Sequence, residues 1–377
     1  MLLDIKCKYI TENILIQHLH RGRLLKLLRY NKILQGIINV NINDYMNISK
    51  IIIEIKVSKI YFGAQLFINY PQKYKPYYHV FFNDNETEEE YPVNMNLGIR
   101  DSIKHFIKSK ITNRENEMVK GYIFGKKKIK KIKIIIDYPV NSLKGLFKNC
   151  DSLTTITFTQ FYRKNITDMS QMFYGCLYLN TLDLSHFNTE NVQNMSDMFC
   201  ACRAIKNLDF SKFDTSKVTD MSYMFSECEN FRDLDLTLLK THNVVNMAGM
   251  FFECYKLKNL NISSFDTKKV YNMSGMFYGC SSLKNINLSN FDTSNVNDME
   301  KMFDLCTNME ELDLSNFNTN KWRCLNYMFR RCESLRKLNI INFKFNKNVE
   351  IEGIIQGCKS LETLICSDIT RNKINGK

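Results

Sequence analysis

Apolar side chains recur with a period of 26 residues through most of the chain after residue 140. A Met-Phe pair such as Met172-Phe173 ends three residues before a recurring cysteine, and apolar residues follow that cysteine three, six and eight positions later. The register is marked by Cys150, Cys176, Cys202, Cys228, Cys254, Cys280, Cys306, Cys332 and Cys358. Because no insertion or deletion interrupts this spacing, the pattern indicates a tandem structural repeat.

Each repeat combines two periodicities. Met169, Met172, Phe173 and Cys176 follow a 3, 4, 7 spacing, which predicts one face of a short helix. An Asp or Asn precedes the first Met and suits a helix N-cap; these are Asp168, Asn194, Asp220, Asn246, Asn272 and Asp298. The segment 182–184, Leu-Asp-Leu, alternates and predicts a strand. One helix and one strand cannot bury their apolar faces alone, so stacked units forming a solenoid are expected.

The unit from Asn272 through Cys280, Leu283, Ile286, Leu288 and Phe291 to Val296 resembles the repeat of BspA-like leucine-rich-repeat proteins, which occur in bacteria, including mycoplasmas, and in protists. This resemblance implies protein binding, often by surface proteins. The fold that we predict is an α/β repeat solenoid of the leucine-rich-repeat type, with one short helix and one strand per 26-residue coil, preceded by a small α+β region.

The pattern divides the chain into a helical region 1–50, a β-rich basic region 51–130, the solenoid 131–366 and a tail 367–377. The segment 132–136 is expected to supply the first strand of the solenoid. The apolar stripes of residues 9–38 predict two helices, which we interpret mainly as a helical cap packed on the next part of the chain. Their order loosely resembles an F-box, which would make the protein a substrate adaptor of a ubiquitin ligase.

Charge is unevenly distributed. Residues 1–150 contain 26 lysines and arginines against 13 acidic residues, whereas residues 151–377 contain 26 of each. A basic run consists of Lys126, Lys127, Lys128, Lys130, Lys131 and Lys133. It could bind nucleic acid or an acidic membrane, but lysines that protect an exposed strand edge from aggregation are the interpretation that we favour.

Sequence signatures of catalysis are missing: there is no phosphate-binding glycine loop, no zinc-protease motif and no Cys-x-x-Cys pair. The recurrent cysteines and methionines are interpreted as core residues, and Cys200-Ala-Cys202 has no histidine in register for zinc. We therefore expect no enzyme activity, no cofactor and no metal. The N-terminus has no apolar signal region and no stretch is long enough to span a membrane, so a cytoplasmic location is expected.

The side chain between the two strand leucines should point away from the core, onto what the resemblance implies is the concave face. This position holds Asp183, Asp209, Asp235 and Asp313, and two residues earlier lie Asp233 and Glu311. These acidic residues either bind a basic partner or form a hydrogen-bonded ladder that binds nothing. The leading hypothesis is a non-enzymatic protein-interaction scaffold with a protein partner, and the F-box adaptor and the basic-region binder remain alternatives.

Overall fold

The structure is a computed structural model, and it describes residues 50–57, 64–71, 78–83, 91–92, 118–124, 131–137, 140–161, 163–345 and 349–374. The predicted helices of residues 9–38 lie outside the described residues, as do Lys126, Lys127, Lys128 and Lys130 of the basic run. No helix in the described part of the chain is long and apolar enough to cross a bilayer.

The N-terminal strands are β1 (Ile51–Val57), β2 (Ala64–Pro71), β3 (Tyr78–Asn83), β4 (Tyr91–Pro92), β5 (Met118–Phe124) and β6 (Lys131–Ile136). The repeats supply β7 (Leu153–Phe161), β8 (Thr181–Asp183), β9 (Asp233–Asp235), β10 (Asn259–Asn261), β11 (Glu311–Asp313), β12 (Lys337–Asn339) and β13 (Thr363–Ile365). A single helix in the described residues, α1 (Asp368–Ile374), comes after the last strand.

A six-stranded sheet in the order β4-β3-β6-β1-β7-β8 joins the N-terminal region to the repeats, while β2 and β5 pair separately. Strand β1 runs antiparallel to both β6 and β7, and β7 runs parallel to β8. The alternating residues Ile51, Ile53 and Ile55 of β1 are buried. The N-terminal region therefore covers the first edge of the parallel stack with an antiparallel strand.

Two predictions for β6 are wrong. The strand next to the first repeat strand is β1 and not the segment 132–136, because β6 pairs with β1 and β3. Lys131 and Lys133 consequently lie on a strand with a neighbour on each side, and not on an exposed edge. The alternation of isoleucine and lysine in β6 follows from its two faces. Ile132, Ile134 and Ile136 are buried, and Lys131 and Lys133, which alternate with them, point to the other face.

The repeats stack as coils, which we number 1 to 9 by the cysteines from Cys150 to Cys358. The solenoid prediction is confirmed, but the short helix expected in each coil is replaced by consecutive turns. In coil 2, Gln171 and Gly175 adopt left-handed conformations with φ of 57° and 70°. The N–H groups of Met169, Gln171, Phe173 and Gly175 donate to carbonyls of coil 3 at 2.8–3.0 Å. The backbone bonds that an α-helix would make internally thus connect adjacent coils.

The predicted burial pattern of this turn segment is nevertheless correct. Met169, Met172, Phe173 and Cys176 are all fully buried. One phenylalanine per coil continues the stack from coil 1 to coil 8, with ring centroids 5.4–5.9 Å apart and planes within 16° of each other. Stacked rings add to the area that each coil buries against its neighbours.

A buried threonine column, which the sequence pattern did not lead us to predict, joins coils 2 to 7 to the coils that follow them. The hydroxyl of Thr267 donates to the carbonyl of Asp292 at 2.9 Å and accepts from the N–H of the same residue at 2.8 Å. The column consists of Thr189, Thr215, Thr241, Thr267, Thr293 and Thr319, all at most 2% exposed. One side chain therefore satisfies both backbone groups of a residue in the next coil.

The two ends of the stack are closed by different elements. At the first coil, the backbone N–H of Asn69 in β2 donates to the carbonyl of Leu146 at 2.7 Å, and its side-chain amide donates to the carbonyl of Lys148 at 2.9 Å. At the last coils, the Thr370 hydroxyl of α1 donates to the carbonyl of Phe343 at 2.7 Å. Polar groups at both ends are satisfied by residues outside the repeat.

Candidate protein-binding face

In coils 2 to 8, the last residue of the strand position is an Asp or Asn whose side chain caps the adjoining turn. The Asp235 Oδ1 accepts from the N–H of Thr237 at 2.9 Å, and the same bond recurs two residues after each member at 2.8–3.3 Å. This capping column consists of Asp183, Asp209, Asp235, Asn261, Asn287, Asp313 and Asn339. The Asx turn is a local reason for Asp or Asn at this position.

These bonds favour the ionised form of three carboxylates in the column. The pKa of Asp209 is lowered chiefly by the backbone N–H of Ser211, and the pKa values of Asp235 and Asp313 are lowered in the same way by Thr237 and Ser315. A hydrogen bond from a backbone amide stabilises the charged form. The capping column therefore carries negative charge at neutral pH, even though neighbouring carboxylates along the stack repel one another.

The flanking column lies two residues before the capping column, on the same face. All of its members are exposed: Thr181, Asn207, Asp233, Asn259, Asn285, Glu311 and Lys337. It contains neutral, acidic and basic side chains, whereas the capping column contains only Asp and Asn. Two bonds connect neighbouring coils, since the Asn259 amide donates to Asp233 at 2.5 Å and the Asn261 amide donates to Asp235 at 3.4 Å.

The predicted acidic residues fall into two groups along this face. Asp183, Asp209 and Asp235 occupy consecutive coils 2 to 4, and Asp233 lies beside Asp235 in β9. Asp313 and Glu311 lie in β11 of coil 7, beyond two coils that carry asparagine in both columns. We call the first four residues the acidic strip. Bridges from Asp168 to Asn194 and from Asn194 to Asp220 join coils 2, 3 and 4 directly, so three carboxylates of the acidic strip occupy neighbouring coils.

The described lysines of the basic run lie elsewhere. Lys131 is exposed and Lys133 is half-buried on β6, which β1 and β7 separate from β8. The structure thus does not bring these two lysines onto the strand face of the repeats.

Most thiols of the recurring cysteines are buried and protonated at neutral pH, the exception being Cys358, whose pKa is lowered by its hydrogen bond with Cys332. Burial raises the pKa of Cys254 to about 12, and burial also raises the pKa of the additional Cys200 to about 12. From Cys176 onward, each of the recurring cysteine thiols donates to the carbonyl of a buried phenylalanine one coil earlier, as in Cys228 to Phe199 at 3.1 Å. Within the described residues, no group of three or more His, Cys, Asp or Glu is arranged to hold a metal ion.

The geometry of this repeat agrees with the family comparison. A family model described as "Mycoplasma protein of unknown function, DUF285" matches residues 141–260 and 246–367, which together cover more than half of the chain. The chain belongs to this family. The match covers the tandem repeats, so the resemblance to a repeat family that includes mycoplasma proteins is confirmed together with the repeat solenoid expected from the sequence.

Comparison with solved structures finds a crystal structure of a leucine-rich repeat protein from Bacteroides ovatus ATCC 8483. That protein is 16% identical to the chain, and the alignment covers 60% of this chain and 70% of that one, with a TM-score of 0.25. A search of curated proteins finds no match.

Aromatic residues on the turn side of the coils were not among the predicted site residues. Coil positions two and five residues before the cysteine carry Tyr174, Tyr223, Phe252, Tyr278 and Tyr327. The signal that could have found them is the presence of large rings at repeat positions that other coils fill with small, polar or charged residues.

Proposed function

We propose that this DUF285 protein is a non-enzymatic interaction scaffold, and that the acidic strip with the neighbouring flanking column binds a basic segment of a protein partner. The observation that carries this proposal is the contrast between two adjacent columns. The flanking side chains are exposed and chemically varied, while the capping column and the buried columns hold the backbone in one register. Variation on a rigid, exposed surface is suited to selecting a partner.

Charge supports a basic partner. Backbone amides lower the pKa values of Asp209 and Asp235, which favours their ionised form. The described residues form no salt bridge to the acidic strip. Like charges in adjacent coils repel each other, so an approaching cation gains energy by relieving this repulsion. Electrostatic complementarity of this kind raises association rates and depends on ionic strength.

The test begins with affinity capture using the full chain as bait, followed by mass spectrometry and by measurement of the affinity of each purified partner. Asp183, Asp209 and Asp235 are then replaced together by Asn. Asn occurs naturally at three other coils of the capping column and makes the same backbone bond, as in Asn287 to Ser289 at 3.0 Å. The triple variant should therefore fold, while its affinity for a basic partner falls about ten-fold or more and loses much of its salt dependence.

A matched control replaces Asp214, Asp266 and Asp292 by Asn. These residues also cap the N–H two residues later, at 3.2, 3.0 and 2.9 Å, but in a loop away from the strand face. The control removes the same charge and should keep the affinity. Equal affinity of the strand-face variant and the wild-type protein, with unchanged circular dichroism, would remove the acidic strip from the binding site.

A further inference from the structure

In each coil, the turn segment that ends at the recurring cysteine forms one side of the solenoid, which we call the turn side. Aromatic rings on this side stack across coils. Phe252 and Tyr278 stack with centroids 4.3 Å apart and planes within 5°, and Tyr223 lies 6.3 Å from Phe252. Tyr223 is 40% exposed and Tyr255, which follows Cys254, is 41% exposed. We call Tyr223, Phe252, Tyr255 and Tyr278 the aromatic platform.

Glycines leave room for these rings to lie against the backbone of the next coil. A Cβ atom on Gly249 would lie 2.2 Å from the Tyr223 ring, and a Cβ atom on Gly275 would lie 3.5 Å from the Phe252 ring. A Cβ atom on Gly279 would lie 3.3 Å from the Glu253 side chain and 3.7 Å from the Tyr255 ring. The platform is consequently a continuous surface over coils 4 to 6, and not a set of separate side chains extending into solvent.

Equivalent aromatic positions in other coils carry cations from the same protein. The Lys148 ammonium lies 4.7 Å from the centroid of Tyr174, which occupies the repeat position of Phe252 and Tyr278. The Arg330 guanidinium lies 4.6 Å from the centroid of Tyr327, which occupies the repeat position of Tyr223, and Lys301 lies 5.8 Å from it. Over the aromatic platform, the described part of the chain places no such cation.

Negative charge lies beside these rings. Glu253 follows Phe252 directly, and no ion pair of Glu253 occurs among the described residues. Glu227 holds the equivalent position one coil earlier, where Arg203 binds it at 2.5 Å and also binds Glu229 at 3.1 Å. A ring face and a nearby carboxylate both attract a cation, and each contribution increases when the site is partly desolvated.

We propose that the aromatic platform and Glu253 bind a lysine or arginine side chain of a basic peptide segment from a partner protein. The rings of coils 2 and 8 show which chemical group these repeat positions accept, because cations of the same chain already occupy them. The site is distinct from the acidic strip, which lies on the strand face of the coils. A partner could therefore contact the platform whether or not the strand face is a binding site.

The test measures binding of a fluorescein-labelled hexa-arginine peptide to the full chain by fluorescence anisotropy, with a hexa-citrulline peptide of the same length as the uncharged probe. Replacing Tyr278 by Leu should weaken hexa-arginine binding about two-fold to five-fold, and Tyr278→Phe should leave it unchanged. Glu253→Gln should weaken binding to a similar extent. This second variant keeps the test valid even if Tyr278→Leu fails to fold.

Controls use an exposed tyrosine and an exposed glutamate outside the platform. Tyr178→Leu changes a ring that is 62% exposed, and Glu310→Gln removes a carboxylate whose partner, Lys284, lies at 2.8 Å. Both should bind the peptide like the wild-type protein. The proposal is overturned if hexa-citrulline binds as tightly as hexa-arginine, if Glu253→Gln binds like the wild-type protein, or if the controls lose as much affinity as the platform variants.

Discussion

The thiol of Cys254 donates a 3.1 Å hydrogen bond to the carbonyl oxygen of Phe225 in the preceding coil. That carbonyl also accepts the N–H of Cys228, so both of its lone pairs are used. The cysteine is fully buried. Few small side chains are apolar enough for such a position and still provide a weak donor, which explains why cysteine and not alanine recurs in the repeat.

Cys254→Asp should destabilise the solenoid strongly, because the carboxylate would be buried without a cation. The expected loss in the free energy of unfolding is about 3–5 kcal/mol. Lys258→Asp, an exposed change in the same coil, should alter it by about 0.5 kcal/mol or less. Chemical denaturation monitored by circular dichroism measures both. Equal midpoints for the two variants would contradict the assignment of inside and outside.

Thr267→Val keeps the shape of a buried side chain but removes its hydroxyl. The N–H and carbonyl of Asp292 would both lose their partner, and each unsatisfied buried group costs about 1–3 kcal/mol. Thr363→Val, on the exposed strand position of coil 9, should change the free energy of unfolding little. A threonine column that only fills space would instead give the same result for both variants.

Burial in the repeat could be predicted from the sequence because it depends only on which side of the chain a residue faces. The spacing of Met169, Met172 and Cys176 identified the buried side correctly. Asp168 accepts from the N–H of Ser170 at 2.9 Å, but it caps a turn and not the predicted helix. The prediction of a helix was wrong because left-handed residues such as Gln171 direct alternate N–H groups towards the next coil. Apolar periodicity does not report where backbone hydrogen bonds go.

Other features depend on contacts between distant parts of the chain. The segment 132–136 is alternating and close in sequence to coil 1, yet β1 takes the place beside β7 through pairs such as Ile55 with Ile156. Local pattern cannot choose between two isoleucine-rich strands. For the candidate binding face, the positions of Asp209 and Asp235 followed directly from the repeat register, whereas their capping bonds to the backbone required the structure.

Acidification should destabilise the protein partly through the capping column. The pKa values of Asp209, Asp235 and Asp313 are lower when folded than when unfolded, chiefly because backbone amides donate to them. Their contribution to the free energy of unfolding is present above the unfolded pKa of about 4 and disappears as the pH falls through the folded pKa. In a variant with Asn at all three positions, the melting temperature should therefore fall less between about pH 5 and pH 2 than it does in the wild-type protein. Parallel curves for the variant and the wild-type protein would contradict this assignment.

Gly249 adopts a φ of 58° beneath the ring of Tyr223. Gly249→Ala adds a Cβ atom that would lie 2.2 Å from that ring, so the ring must move. Gly275→Ala is the matched control because Gly275 has the same φ of 58°, while its added Cβ atom would meet the Phe252 ring at an ordinary 3.5 Å.

The control should cost about 1 kcal/mol, as expected for a left-handed alanine, and Gly249→Ala should cost about 1–3 kcal/mol more because it overpacks the contact. The double variant Tyr223→Ala with Gly249→Ala removes the obstructing ring. It should recover most of that difference, which a double-mutant cycle of unfolding free energies measures as a coupling between the two positions. Simple additivity of the two substitutions would mean that the ring does not lie over Gly249 in solution.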